Sequence, residues 1–278
     1  MLTFRKLCVA CLLPLAFMAL SGSVALAEIV EFDGLIEPNR VVEIGPPADG
    51  IVAKVLVDRS STVKKGQVLV ELESSVQSAA LKKARAMASF KGEIGLQETK
   101  LDYSKRVHQR LKDLQAVSSL DKDQAETEVA LTQYRLEKAR EEHILAQLEM
   151  KRAQAILGLR TVTSPISGVV VQRYVSPGEY VNNQPLLQVA QINPLRVEVI
   201  VPAHLFGKIA PEMTATILPE LPEYGAQQAT VTIVDKVIDS ASNTFGVRLE
   251  LPNEDLAMPS GLKCQVRFEI EFDGDAKE

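Results

Sequence analysis

The sequence predicts a multidomain α+β protein: a split β-sandwich with an inserted antiparallel coiled-coil α-hairpin, plus a small β-barrel. Three observations carry this. A β segment recurs at an offset of 118 (168 − 50), the stretch between the two copies lacks proline and steps in heptads, and short alternating strands follow Pro194.

The chain opens with Arg5 and Lys6, an apolar run from Leu7 to Leu20, and Ala25-Leu26-Ala27 before Glu28. That order predicts a signal peptide over 1–27 and export of the remainder. The run falls short of the roughly 20 residues that span a bilayer, and a retained N-terminal anchor is the alternative. Cys8 and Cys11 leave with the signal, so Cys264 alone remains, which excludes an internal disulfide and a cysteine metal cluster.

A strand over 28–42 is assigned to the barrel. The first half-repeat, 43–73, contains Ala48-Asp-Gly-Ile-Val-Ala-Lys-Val-Leu-Val. It lies without a gap on Ile166-Ser-Gly-Val-Val-Val-Gln-Arg-Tyr-Val of the second half, 159–191. Gly50 pairs with Gly168, Val52 with Val170, Val57 with Val175, Val63 with Val181 and Leu69 with Leu187. Two such halves make one pseudo-symmetric sandwich, which explains why the chain leaves and returns.

Residues 74–158 form the insertion. Ala125, Val129, Thr132, Leu136, Ala139, His143, Ala146, Met150, Ala153 and Leu157 step by four and three without a break, the seam of one coiled-coil strand. Ala80, Met87, Ile94 and Leu101 are expected to supply the partner seam, followed by a phase slip to Val107, Leu111 and Leu114. The reversal is placed near Gln115 to Leu120, with Ser118 and Ser119 positioned to cap the second helix. Leu131, Tyr134, Ile144, Leu145 and Leu148 lie off the seam and suggest packing against a neighbouring copy or partner. Over 192–270, Leu195 to Val201, Thr230 to Val237, Phe245 to Leu251 and Leu262 to Ile270 alternate as strands of the barrel, and 271–278 is a tail.

Composition narrows function. The chain has 278 residues, 46% apolar and 24% charged, enough for two or three compact units. Thirty-one basic against thirty-six acidic residues, net −5, lacks the basic excess of a nucleic-acid binder. Tryptophan is absent and aromatics make 5%, so stacking platforms are scarce. His108, His143 and His204 are too dispersed for a ligand set, and Met87, Met150, Met213 and Met258 read as core fillers. No nucleophile with its base, and no phosphate-cradling loop, occurs at a recognisable spacing. The reading is not an enzyme, with no cofactor and no metal site.

Several stretches resemble the periplasmic adaptor (membrane fusion protein, HlyD/RND-type) family of tripartite efflux systems. They are Leu159-Arg-Thr-Val-Thr-Ser-Pro-Ile-Ser-Gly-Val-Val, Pro177-Gly-Glu-Tyr-Val-Asn-Asn-Gln-Pro-Leu-Leu-Gln-Val-Ala, Ile192-Asn-Pro-Leu-Arg-Val-Glu-Val-Ile-Val-Pro, and Asn243-Thr-Phe-Gly-Val-Arg-Leu-Glu-Leu-Pro-Asn with Pro259-Ser-Gly-Leu. The resemblance covers nearly all of the chain after the signal and implies that the sandwich is lipoyl-like. It implies a periplasmic protein associated with the inner membrane, touching membranes only through partners. The implied partners are an inner-membrane pump, of RND type, an outer-membrane channel, and other copies in a ring of six. The adaptor of an ATP-driven exporter or type I protein-secretion system is the alternative within the family; a periplasmic coiled-coil scaffold without a transport role is the alternative outside it.

In the family the hairpin tip carries an Arg, a Leu and a Ser. The last two align with Leu111 and Ser118, while the Arg position falls on Val107, flanked by Arg106 and Arg110. Arg106, Arg110, Leu111, Leu114 and Ser118 are the implied channel-docking tip. Arg173 and Tyr174 are candidates for lining the conduit. A lipoyl carrier is disfavoured because Val76 stands where its Lys would be. Only 12 residues (278 − 266) follow Val266, so the family's further membrane-proximal domain is expected to be missing.

Overall fold

The computed structural model describes residues 27–271. The expected signal peptide and the end of the expected tail lie outside the described residues. The chain divides into two compact units, one from residues up to Leu35 with Val197–Glu250 and the segment from Leu262, the other from Ile36–Arg196 with Leu251–Gly261. Two strands run through both units, β1 (Ala27–Ile44) and β8 (Leu187–Pro202). Neither the expected 42/43 boundary nor the 191/192 boundary therefore coincides with a break in secondary structure.

The sandwich belongs to the second unit. Its further strands are β2 (Gly50–Val55), β3 (Thr62–Val63), β4 (Val68–Leu72), β5 (Thr161–Thr163), β6 (Gly168–Arg173) and β7 (Tyr180–Val181). β2 pairs with β4 and β7, and β6 pairs with β8 and β3. The registers obey the offset of the repeat. Gly50 faces Val181 and Ile51 faces Tyr180, while Gly168 faces Val63 and Val169 faces Thr62. Even the irregularities repeat, between Val52 and Lys54 in one half and between Val170 and Gln172 in the other. Val52, Val63, Leu69, Val170, Val181 and Leu187 meet in one core, each at most 1% exposed. Burying each such side chain contributes about 1.5–3 kcal/mol, so the apolar pattern of either half is satisfied only by the other.

Three helices fill the insertion: α1 (Ser75–Ser89), α2 (Gly92–Asp113) and α3 (Ser119–Gly158). Ser104 Oγ meets Thr132 Oγ1 at 2.9 Å, Arg140 pairs with Glu98 at 3.0 Å, and Leu81 and Ala84 pack with Ala153. Numbers that fall along α2 and α1 rise along α3, so the packed helices are antiparallel. All ten seam residues expected on α3 are buried or half-buried, because a 4,3 spacing keeps one stripe of a long helix toward its neighbour.

The expected seam of the first arm is corrected. Ala80 is exposed and Met87 is 50% exposed, whereas Leu81, Ala84 and Ala88 are buried. Backbone conformation changes at Phe90, which is extended (φ −74°, ψ 120°), and α2 resumes in a new phase. Ile94, Gln97, Leu101, Ser104, His108 and Leu111 then form the inward face. Three of those six are polar, which hid the phase from an apolar count. No helix among the described residues is long and apolar enough to cross a membrane.

The first unit is a closed barrel. Its remaining strands are β9 (Thr214–Pro219), β10 (Gln227–Val234), β11 (Thr244–Leu251) and β12 (Leu262–Glu271). The order β1-β12-β9-β10-β11-β8 closes through a β1–β8 pairing, which leaves no free edge. β9, absent from the sequence reading, pairs with both β10 and β12. The strand expected to reach Val237 ends at Val234, and Val237 is 82% exposed. Phe32 packs on Phe268 at 6.1 Å and Phe206 stands edge-on to Phe245 at 5.4 Å, while Arg267 pairs with Glu31 at 2.7 Å.

Candidate docking site

The connection between α2 and α3 is five residues long, Leu114 to Ser118. Leu114 ends α2 in an extended conformation (φ −89°, ψ 126°), and the last turn before it carries Arg110 and Lys112, favourably placed against the C-terminal helix dipole. Ser118, also extended, accepts from the Asp121 N–H at 3.4 Å and caps α3. Leu111, Val117, Ser118, Asp121 and Gln124 line an open groove of about 670 Å³ at this end.

Of the residues assigned to the tip, the structure brings Leu111 and Ser118 together on that groove. Leu114 lies on the loop, 54% exposed. Arg106 is one and a half turns further back; it pairs with Asp102 on its own helix and borders a second cleft of about 580 Å³ with Tyr103, Ser104, Thr132 and Arg135. That cleft opens where Ser104, Ala125 and Thr132 replace larger seam residues. Nothing in either groove resembles a reaction centre, and no cluster of three or more His, Cys, Asp or Glu among the described residues is placed to hold a metal ion. The tip can offer shape, a few apolar contacts and charges of both signs, Arg110, Lys112 and Lys122 beside Asp113, Asp121 and Asp123.

Arg173 and Tyr174 part company. Tyr174 is 43% exposed and makes no such tie, whereas Arg173, with 32% of its side chain exposed, is bonded back to the sandwich. Its Nε donates to Asp58 Oδ1 at 3.1 Å, and Nη1 donates to the Val175 carbonyl at 2.7 Å and to Ser176 Oγ at 3.4 Å. Asp58 and Ser176 are equivalent positions of the two halves, so Arg173 clasps the repeat to itself. The Arg59 N–H and then the Arg173 guanidinium hold the Asp58 carboxyl below its usual 3.8.

The sequence reading missed the apolar residues exposed on the first arm: Phe90 (72%), Tyr103 (63%) and Leu96 (47%). Leu96 and Tyr103 lie off the seam through Ile94 and Leu101 in the expected phase as well as the observed one, and Phe90 stands at the break between α1 and α2. The expected outer residues of α3 are exposed, Leu131 at 45%, Tyr134 at 69%, Ile144 at 53%, Leu145 at 64% and Leu148 at 53%.

Comparison with known proteins gives this geometry a context. A pyoverdine export membrane fusion protein, PvdR, of Pseudomonas putida is 30% identical over 190 residues, covering 66% of this chain and 48% of that protein. Its counterpart in Pseudomonas aeruginosa is 28% identical over 190 residues, with 66% and 49% covered. The chain thus spans about half the length of these relatives. The multidrug/solvent efflux pump periplasmic linker protein MepA of Pseudomonas putida is 24% identical over 262 residues, covering 88% of this chain and 62% of MepA. Among solved structures, MacA from Actinobacillus actinomycetemcomitans superposes with a TM-score of 0.71 at 24% identity, covering 88% of this chain and 79% of that one, which is a likeness of fold. The family description "CzcB-like, barrel-sandwich hybrid domain" matches residues 40–191, the two half-repeats together with the helices between them, and the chain belongs to that family.

Proposed function

We propose that the chain is a periplasmic adaptor that links an inner-membrane efflux pump to an outer-membrane channel and forms part of the export path. The observation that carries the reading is the interrupted repeat. One sandwich is assembled from two segments so that a helical insertion can be held by both of its ends, and α3 alone, with 40 residues at 1.5 Å rise, reaches about 60 Å. No core of this size requires such an arm. The relatives named as export membrane fusion proteins and efflux pump periplasmic linkers favour the same role.

In this reading the three helices form an antiparallel coiled-coil hairpin whose loop, with Leu111, Leu114 and Ser118 and the basic Arg106 and Arg110 behind it, meets the channel. The barrel meets the pump, of RND type. Copies assemble as a ring of six with the exposed apolar residues of the arms between neighbours. The protein is exported by a cleavable signal and acts in the periplasm beside the inner membrane, without catalysis.

The test is photocrosslinking in cells from a probe at Ser118, with the captured protein identified by mass spectrometry. Capture of an outer-membrane channel is the expected result. Failure to capture one, with the protein exported and folded, would sink the tip assignment and favour a scaffold without a transport role.

A further inference from the structure

We propose that Arg160 is a latch that fixes the angle at which the helical insertion leaves the sandwich. The chain crosses from sandwich to helices at two places, through Glu73 and Ser74 between β4 and α1 and through Leu159 and Arg160 between α3 and β5. Two short covalent links side by side define an axis about which a long lever can rock. Fixing its angle requires a contact away from that axis. The link into α1 is tied only close to that axis: the Glu73 N–H donates to the Ile51 carbonyl at 2.8 Å and its Oε1 accepts from the Ser75 N–H at 2.9 Å, while the Ser74 side chain makes no capping hydrogen bond.

The Arg160 guanidinium makes the missing contact. Nη1 donates to the Asp49 carbonyl at 2.6 Å, in the connection that precedes β2. With the Gln77 amide turned so that Oε1 faces the guanidinium, Nη2 and Nε donate to it at 2.8 and 3.3 Å, at the start of α1. The Arg160 carbonyl accepts from the Leu72 N–H at 2.8 Å, at the end of β4, and its N–H donates to the Leu157 carbonyl at 3.0 Å, inside α3. One residue therefore joins the exit of α3, the entry of α1 and the sandwich edge. A planar guanidinium with donors spread over its edge suits this work better than an ammonium, which is a point charge on a loose stem.

Gly50 is shaped around the same contact. A Cβ at residue 50 would stand 2.7 Å from Arg160 Nη1. Its partner in the repeat, Gly168, excludes a side chain for a different reason, because a Cβ there would stand 2.0 Å from the Ala190 carbonyl oxygen of the paired strand. Strand pairing excludes a side chain in the second half, whereas in the first the near neighbour is the tip of Arg160. Val42 occupies the position equivalent to Arg160 (160 − 118), so the latch is an addition to the symmetric sandwich.

The test is a distance distribution by pulsed electron paramagnetic resonance, with spin labels on Ala116→Cys in the helix connection and Asn183→Cys in the exposed loop after β7. Cys264 stays unlabelled, being 5% exposed with its thiol pushed up to about 11 by burial. A single narrow distance is expected for the parent chain. Arg160→Ala and Gln77→Ala should broaden it by about twofold, as loss of charge-assisted bonds at the root of a lever implies. Gly50→Ala leaves both residues in place and displaces only the tip of the guanidinium, so it should broaden the distribution less than Arg160→Ala does. A distribution as narrow as the parent's in Arg160→Ala would overturn the latch.

Discussion

Ser60 and Gly178 stand 118 residues apart in the chain (178 − 60) and at the same place in the two half-repeats, both with left-handed backbone, φ 67° and 92°. The Ser60 N–H donates to the Val170 carbonyl and the Gly178 N–H to the Val52 carbonyl, each at 2.8 Å. The turn demands positive φ in both halves, yet only the second carries the residue that adopts it without a Cβ penalty. Ser60→Gly should therefore stabilise the sandwich by about 0.5–1 kcal/mol, the relief of left-handed strain less the extra freedom of glycine in the unfolded chain. Gly178→Ala should cost about 1–2 kcal/mol. Urea unfolding of both variants checks the pair; a destabilising Ser60→Gly would show that the serine hydroxyl matters more than the backbone.

Equivalence extends to the core. Leu69 and Leu187 are both 0% exposed in the same cluster. Each truncation to Ala should cost about 2–5 kcal/mol, and because the two sites share one cavity the double variant should deviate from the sum. Denaturant midpoints of the two single variants and the double variant measure this. Strict additivity would indicate two separate half-cores.

The clasp formed by Arg173 gives the sandwich an acid-sensitive element. The Asp58 carboxyl titrates below its ordinary 3.8 in the folded protein, chiefly through the Arg59 N–H and then through Arg173. A carboxyl with a depressed folded value contributes stability that is fully present above the unfolded value and is lost as pH falls through the folded one. The stability difference between the parent and Asp58→Asn should be constant above about pH 5 and should shrink below 3.8. Unfolding curves from pH 2.5 to 7 would reveal it. A difference that persists undiminished at the acid end would mean that Asp58 contributes through its shape alone.

What the sequence made legible was whatever repeats. The two halves could be aligned because each must bury the same alternating residues against the other, and the α3 seam could be read because forty unbroken helical residues allow ten seam positions to agree. The first arm was misread at Ala80 and Met87 because its phase resets at Phe90 and its inward face carries Gln97, Ser104 and His108, which an apolar count passes over. β9 was missed because Thr214 to Pro219 has few strongly apolar residues, although the strand is central through its two pairings. The bond from Arg173 to Asp58 was not legible because the two are 115 residues apart in sequence. The bonding of Arg160 left no pattern, since three of its five hydrogen bonds run to backbone groups.

The helices offer a last prediction, because α3 has two apolar faces with different duties. Leu136 lies 3% exposed on the seam, whereas Leu145 and Leu148 point away from it at 64% and 53%. Leu136→Ala opens a cavity between the arms and should lower the stability of the helical part by about 2–5 kcal/mol. Leu145→Lys and Leu148→Lys remove no internal packing, and lysine is a good helix former, so helicity and melting temperature should hold. If those side chains pack between copies, the lysine variants should weaken self-association in sedimentation velocity, and the Leu136 variant should weaken it only to the extent that it unfolds. Lysine variants that assemble as the parent does would leave the outer face without a role between copies and move the contact to the first arm, where Phe90 and Tyr103 are exposed.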